Sequence, residues 1–194
     1  MADIASLCVY CGSQMGTDPR HRETAAALGR QMAEQGVALV YGGGRIGLMG
    51  VVADAVLQAG GKVIGVIPTF LNKVEIGHQH LTELRVVDSM HERKRMMFEL
   101  ADAFVILPGG LGTLDEAFEI ITWRQLNLHD KPVILVDHQG YWQPFLRLFD
   151  AVIEGGFASV AARRLFTVAN SPAEVLDAVR AAGAERVPER PERL

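Results

Sequence analysis

Hydrophobic residues in this chain gather into short, nearly continuous blocks, separated by longer stretches where they recur every three or four positions. The blocks at 5–10, 37–41, 62–67, 84–87, 104–107 and 132–136 have the length and β-branched content of strands. The stretches between them carry a helical period. Helices are predicted over 20–35, 48–59, 90–101, from the glycines near 112 to about 126, 141–154 and 171–182. Asp18-Pro19 opens the first helix and Gly36 closes it, Gly60-Gly61 stops the second, and Pro68 ends the third strand. Residues 69–80 show neither period. They are polar, with Glu75, Gly77, His78 and His80, and read as a loop beside a site.

Strands without a polar face must be covered on both sides, and strands alternating with helices supply that cover from a parallel sheet. The pattern predicts an α/β fold of three layers, a mostly parallel sheet flanked by helices, forming one domain over 1–183. The charged, proline-broken residues 184–194 are expected to fray. In such sheets ligands sit at the carboxyl ends of the strands, where the strand order reverses.

Composition narrows the chemistry. Of 194 residues, 49% are hydrophobic and 22% charged, as in an ordinary globule. A net charge of −4 provides no general basic surface, so nucleic acid is not an expected partner and any phosphate site must be built locally. No apolar run reaches the length of a membrane span, and Met1-Ala2-Asp3-Ile4 lacks the blocks of a signal peptide, which points to the cytoplasm. Cys8 and Cys11 form a C-x-x-C pair. Cys8 falls within a predicted buried strand, and no second Cys or His pair completes a zinc pattern, so neither metal nor redox chemistry is expected.

Two glycine-rich loops follow strands and precede helices. Gly42-x-Gly44-x-x-Gly47 fits the dinucleotide pattern, but the third strand ends at Ile67-Pro68-Thr69 without the carboxylate that would hold a ribose. The second loop, Pro108-Gly109-Gly110-Leu111-Gly112-Thr113, offers backbone N–H groups and a hydroxyl suited to a phosphate dianion. It lacks the Gly-Lys-[Ser/Thr] ending of an ATP-binding loop. Thr113-x-x-Glu116 has the spacing of a capping box, and spacing alone favours that role for Glu116 over catalysis. Arg93 equally fits an exposed basic helix turn.

Taken together, Pro-Gly-Gly-x-Gly-Thr-x-x-Glu at 108–116, Gly-Gly-Gly-x-x-Gly-Leu-Met-Gly at 42–50, Met-His-x-Arg-Lys at 90–94 and Cys11-Gly12-Ser13 resemble the Lonely Guy family. Its members are cytokinin riboside 5′-monophosphate phosphoribohydrolases. The resemblance spans residues 5 to 180. It implies a Rossmann-like fold, a homodimer with sites near the subunit interface, no cofactor, and hydrolysis of N6-modified AMP to a free base and ribose 5-phosphate. By that resemblance Arg93 and Glu116 form the catalytic pair. Gly12, Ser13, Gly42, Gly43, Gly44, Met49, Met90, Lys94, Pro108, Gly109, Gly110, Gly112 and Thr113 fall in the motifs expected to bind substrate. Asp88 follows a strand close to Arg93 and is a candidate to contact ribose or base.

N-glycoside cleavage builds positive charge on the ribose, which a carboxylate stabilises while accepting a proton from water. Glu116 is expected in that role, with Arg93 orienting its partners and the glycine loops anchoring the 5′-phosphate. The alternatives are an AMP nucleosidase or broader purine nucleotide hydrolase, and a non-catalytic nucleotide-binding protein. Lysine decarboxylation needs a lysine Schiff base with pyridoxal phosphate, and Lys62, Lys73, Lys94 and Lys131 sit in no recognisable cofactor motif.

Overall fold

The computed structural model describes residues 4–72, 78 and 80–184. Apart from residue 184, the tail expected to fray lies outside the described residues, as do Glu75 and Gly77.

In chain order the elements are β1 (Ser6–Tyr10), α1 (Arg20–Glu34), β2 (Ala38–Tyr41), α2 (Gly47–Gln58), β3 (Val63–Pro68), α3 (Thr69–Asn72), β4 (Glu83–Val87), α4 (Met90–Leu100), β5 (Ala103–Ile106), α5 (Leu111–Gln125), β6 (Val133–Val136), α6 (Gln143–Glu154), β7 (Thr167–Ala169) and α7 (Val175–Ala184). The seven strands form one sheet in the order β4-β3-β2-β1-β5-β6-β7. Every pairing is parallel, so the sheet is more uniform than the mostly parallel one expected.

This order places the site. From β1 the chain builds outward through β2 and β3 to β4, then returns to lay β5 on the other side of β1. Connections leaving β1 and β5 therefore diverge, which opens a crevice over their carboxyl ends. The loops after these two strands meet there, Gly12 N–H donating to the Pro108 carbonyl at 3.0 Å.

Two-sided burial explains the apolar strands. Leu7, Val9 and Cys11 pack on one face with Leu28 and Met32 of α1, Val52 and Val56 of α2, and Val175 and Val179 of α7. Cys8 and Tyr10 pack on the other with Met97 of α4, Ile120 of α5 and Phe145 of α6. Cys8 and Cys11 thus point to opposite faces of the sheet, and both thiols are free. Three residues apart in an extended segment, the two cysteines fall on opposite faces because side chains alternate.

Three features depart from the pattern-based reading. The segment at 69–80 begins with the short helix α3. Residues 172–174 form a 3-10 turn ahead of α7. Edge strand β7 has only 3 residues, too few to display a period, and it exists through its pairing with β6. Among the described residues no helix is long and apolar enough to cross a membrane.

Met97 lies one turn beyond Arg93 on α4, fully buried against the sheet. Met97→Ala is expected to lower unfolding free energy by about 2–4 kcal/mol in a urea titration, through lost burial plus a cavity.

Candidate active site

Helix α4 carries Arg93 to the crevice. Its first turn is fixed by Ser89, whose Oγ accepts from Glu92 N–H at 3.1 Å, while the Glu92 carboxylate accepts from Asp88 N–H at 3.1 Å. Arg93 is only 7% exposed. Its guanidinium is held by two backbone carbonyls: Nε donates to that of Val66 at 3.2 Å and Nη2 to that of Gly42 at 3.3 Å. A Cβ at Gly42 would stand 2.0 Å from Nη2, so glycine there is required by the approach of the guanidinium. The remaining nitrogen, Nη1, lies 3.8 Å from Glu116 Oε1.

Glu116 arrives on α5. This helix begins at Leu111 with Gly110 as its N-cap, and no side chain caps it. The capping-box reading of Thr113 and Glu116 is therefore corrected: Thr113 is buried within the first turn, and Glu116 one turn later turns toward Arg93. Residues three apart on a helix share a face, so the same spacing serves a cavity as well as a cap. The first-turn N–H groups of α5 have no intrahelical acceptor, and the helix dipole adds partial positive charge at that end.

These elements enclose a cavity of about 180 Å³ lined by Cys11, Ser13, Met49, Met90, Arg93, Gly110, Leu111, Gly112, Thr113, Asp115 and Glu116. A second cavity of about 200 Å³ shares Ser13 and Gly110 with it and adds Gly12, Gln14, His21, Leu48, Pro108, Gly109 and Tyr141.

Burial dominates the electrostatics of Glu116. It pushes the carboxyl up to about 7, against the lowering influence of Arg93 and Lys94. The Cys11 thiol is pushed far above its usual range, first by burial and then by Glu116, so it stays protonated. Lys94 reaches Asp115 at 2.8 Å and Glu119 at 3.4 Å; burial lowers its ammonium, but the hydrogen bonds and charges of these two carboxylates together raise it above its ordinary value.

The expected binding residues divide by position. Ser13, Met49, Met90, Gly110, Gly112 and Thr113 line the cavity with the Arg93–Glu116 pair, while Gly12, Pro108 and Gly109 line its neighbour. Gly42, Gly43 and Gly44 are buried and lie outside both linings. Of the three, Gly42 meets Arg93, its carbonyl accepting from Nη2, while Gly43 packs against Ile67 and Leu84. Lys94 is turned to its carboxylate partners, and Asp88 is exposed outside the cavity lining. His78, in the segment read as a loop beside a site, is buried against Asp54 at 2.8 Å. Sequence reasoning passed over Asp115, an unspecified position of the 108–116 motif, and over His21 and Tyr141, which carry no motif signal and come to the crevice only through folding.

The fold and this cavity define a Rossmann-like α/β protein with a cavity at the switch point of its sheet. A family model described as "Possible lysine decarboxylase" matches residues 49–179. The chain is 46% identical over 170 residues to the cytokinin riboside 5′-monophosphate phosphoribohydrolase LOG of Oryza sativa subsp. japonica, covering 88% of this chain and 70% of that protein. It is 45% identical over 170 residues to the Arabidopsis thaliana phosphoribohydrolase LOG7, covering 88% and 78%. A molybdenum cofactor binding protein from Rippkaea orientalis superposes with a TM-score of 0.70 at 21% identity, over 93% of this chain and 98% of that one, and so shares the fold. The chain belongs to the LOG family of phosphoribohydrolases.

Gly42→Ala is expected to displace the tip of Arg93 and leave the fold intact, because the flexible end of a side chain gives way before backbone does. A loss of about 100-fold or more in kcat, with an unchanged circular dichroism spectrum, is the expected outcome. With Glu116 as the proton acceptor, kcat/KM rises as the carboxyl ionises. Its pH profile is then expected to fall on the acid side of about 7, tenfold per unit.

Proposed function

We propose that this chain hydrolyses the N-glycosidic bond of a nucleoside 5′-monophosphate, an N6-modified AMP foremost, releasing the free base and ribose 5-phosphate. The observation that carries this reading is the Arg93–Glu116 pair, 3.8 Å apart and buried beside the amino end of α5. One end of the cavity suits a dianion and the other presents a carboxylate, as a phosphorylated ribose requires.

The 5′-phosphate takes the N–H groups of the first turn of α5 together with the Thr113 and Ser13 hydroxyls. Anchoring there sets the anomeric carbon before Glu116. As the bond to the base breaks, its electron pair leaves with the base and positive charge spreads over the ribose ring. The ionised Glu116 stabilises that charge and takes a proton from the attacking water, whose oxygen forms the new bond to the anomeric carbon. Arg93, fixed by Val66 and Gly42, holds the Glu116 carboxylate in place. A carboxyl titrating near neutrality suits an acceptor that is ionised at working pH yet basic enough to take the proton.

Lysine decarboxylation finds no support at this site, because Lys94 is held by Asp115 and Glu119 outside the cavity lining. In this reading residues 1–183 act as one catalytic unit. The cytoplasm, where buried thiols such as Cys8 and Cys11 stay reduced, is its compartment. A homodimer belongs to the same proposal. Phe118, Tyr141 and Leu148 border a cavity on α5 and α6 while staying 40%, 39% and 53% exposed, and a second copy would cover this apolar face.

Purified protein incubated with AMP and with isopentenyladenosine monophosphate is expected to release base and ribose 5-phosphate, faster from the modified nucleotide. Equal or faster release from AMP selects an AMP nucleosidase, and binding without release selects a nucleotide-binding protein. Glu116→Gln should lower kcat by about 1000-fold or more, and Arg93→Lys by about 100-fold, since a point charge cannot replace a planar fork. Wild-type rates in either variant would remove that residue from the mechanism.

A further inference from the structure

The phosphate end of the cavity depends on which way one peptide plane faces. Thr113 and Gly12 crowd the side of Gly109 where a Cβ would stand. Neither Gly109 nor Gly110 carries a side chain of its own, however, so the rotation of the peptide between them is set by what its carbonyl and N–H bond to. In one orientation the Gly110 N–H faces the anion. In the other, the Gly109 carbonyl takes its place and repels it.

Tyr141 supplies the hold. Its hydroxyl donates to the Gly109 carbonyl at 2.6 Å across 32 residues of sequence. In a trans peptide the carbonyl and the following N–H point in opposite directions, so a carbonyl turned to Tyr141 turns the Gly110 N–H away from it. The preceding peptide is fixed in the same manner, the Pro108 carbonyl accepting from Gly12 N–H at 3.0 Å. Gly110 borders both cavities, whereas Tyr141 lines the neighbouring one and not the one holding Glu116.

The segment carrying Tyr141 is itself strongly constrained. Gln139 holds φ +68°, a conformation costly for a residue with a side chain. Gln139 Oε1 accepts from Arg20 Nη1 at 2.6 Å, and the buried Asp137 carboxylate accepts from Trp142 N–H at 2.6 Å. The Tyr141 ring stands edge-on to His21 at 5.1 Å and to Trp142 at 4.9 Å. A ring 39% exposed is thereby fixed by its neighbours more than by burial.

We propose that Tyr141 is a positioning residue for phosphate recognition, locking the Gly109–Gly110 peptide so that the Gly110 N–H joins the anion cradle at the start of α5. This rests on the phosphate placement given under the proposed function, and it concerns binding rather than bond cleavage. Tyr141→Phe removes the one hydroxyl and keeps the ring.

The test is calorimetric binding of AMP, inorganic phosphate and adenosine to wild type and Tyr141→Phe, with a thermal melt to establish that the variant is folded. The AMP and phosphate dissociation constants are expected to rise about fivefold to twentyfold, and the AMP-to-adenosine affinity ratio to fall by the same factor. In turnover the loss should appear in KM for the nucleotide, with kcat changed less. Unchanged phosphate and AMP affinity, or an equal loss for adenosine, overturns the proposal. Because binding is read without catalysis, a wild type that binds AMP and releases no base would sink the hydrolase reading and leave this one tested.

Discussion

The architecture of this protein turns on a guanidinium that the backbone itself holds in place. Arg93 spends two of its donors on backbone carbonyls, Val66 within β3 and Gly42 just past β2. β2 ends at Tyr41, opposite Gly65, while β3 runs on to Pro68, so Val66 has no partner residue on β2. A planar fork spanning two strands is fixed in angle as well as position, which an ammonium could not achieve. Everything opposite it is built to match. Helix α5 starts where Gly110 turns the chain, and its second turn delivers Glu116 to the third nitrogen.

That arrangement carries a cost in stability that the fold absorbs. Burial pushes the Glu116 carboxyl up to about 7, so ionising it inside the folded protein is harder than in the unfolded chain. Arg93 and Lys94 offset only part of the burial. The carboxylate is therefore held where it is poorly solvated, which suits the proton acceptor proposed for it at neutral pH. The hydrophobic layers on both faces of the sheet supply the surplus that makes such a site tolerable.

The comparison with the Rippkaea orientalis protein separates scaffold from chemistry. A TM-score of 0.70 at 21% identity means that strand order and layers persist while most side chains differ. Switch-point sheets offer a crevice to many ligands, and the residues that line it decide which one enters. Here the lining combines the amino end of a helix with one buried carboxylate and one buried guanidinium.

The layers, the parallel sheet, the positions of the glycine loops and, through their motifs, Arg93 and Glu116 as residues to watch could all be read from the chain alone. Such features are local. Apolar blocks and helical periods follow from burial on one or two faces, and motifs are runs of neighbours. What those residues do to one another is a property of the folded protein. Folding separated Cys8 from Cys11 across the sheet, set Gly42 against Arg93, and turned a capping-box spacing into one wall of a cavity. It also formed β7 from three residues and brought Tyr141 to the Gly109 carbonyl. Each of these depends on contacts between distant parts of the chain, and no local pattern records which distant groups a fold will place face to face.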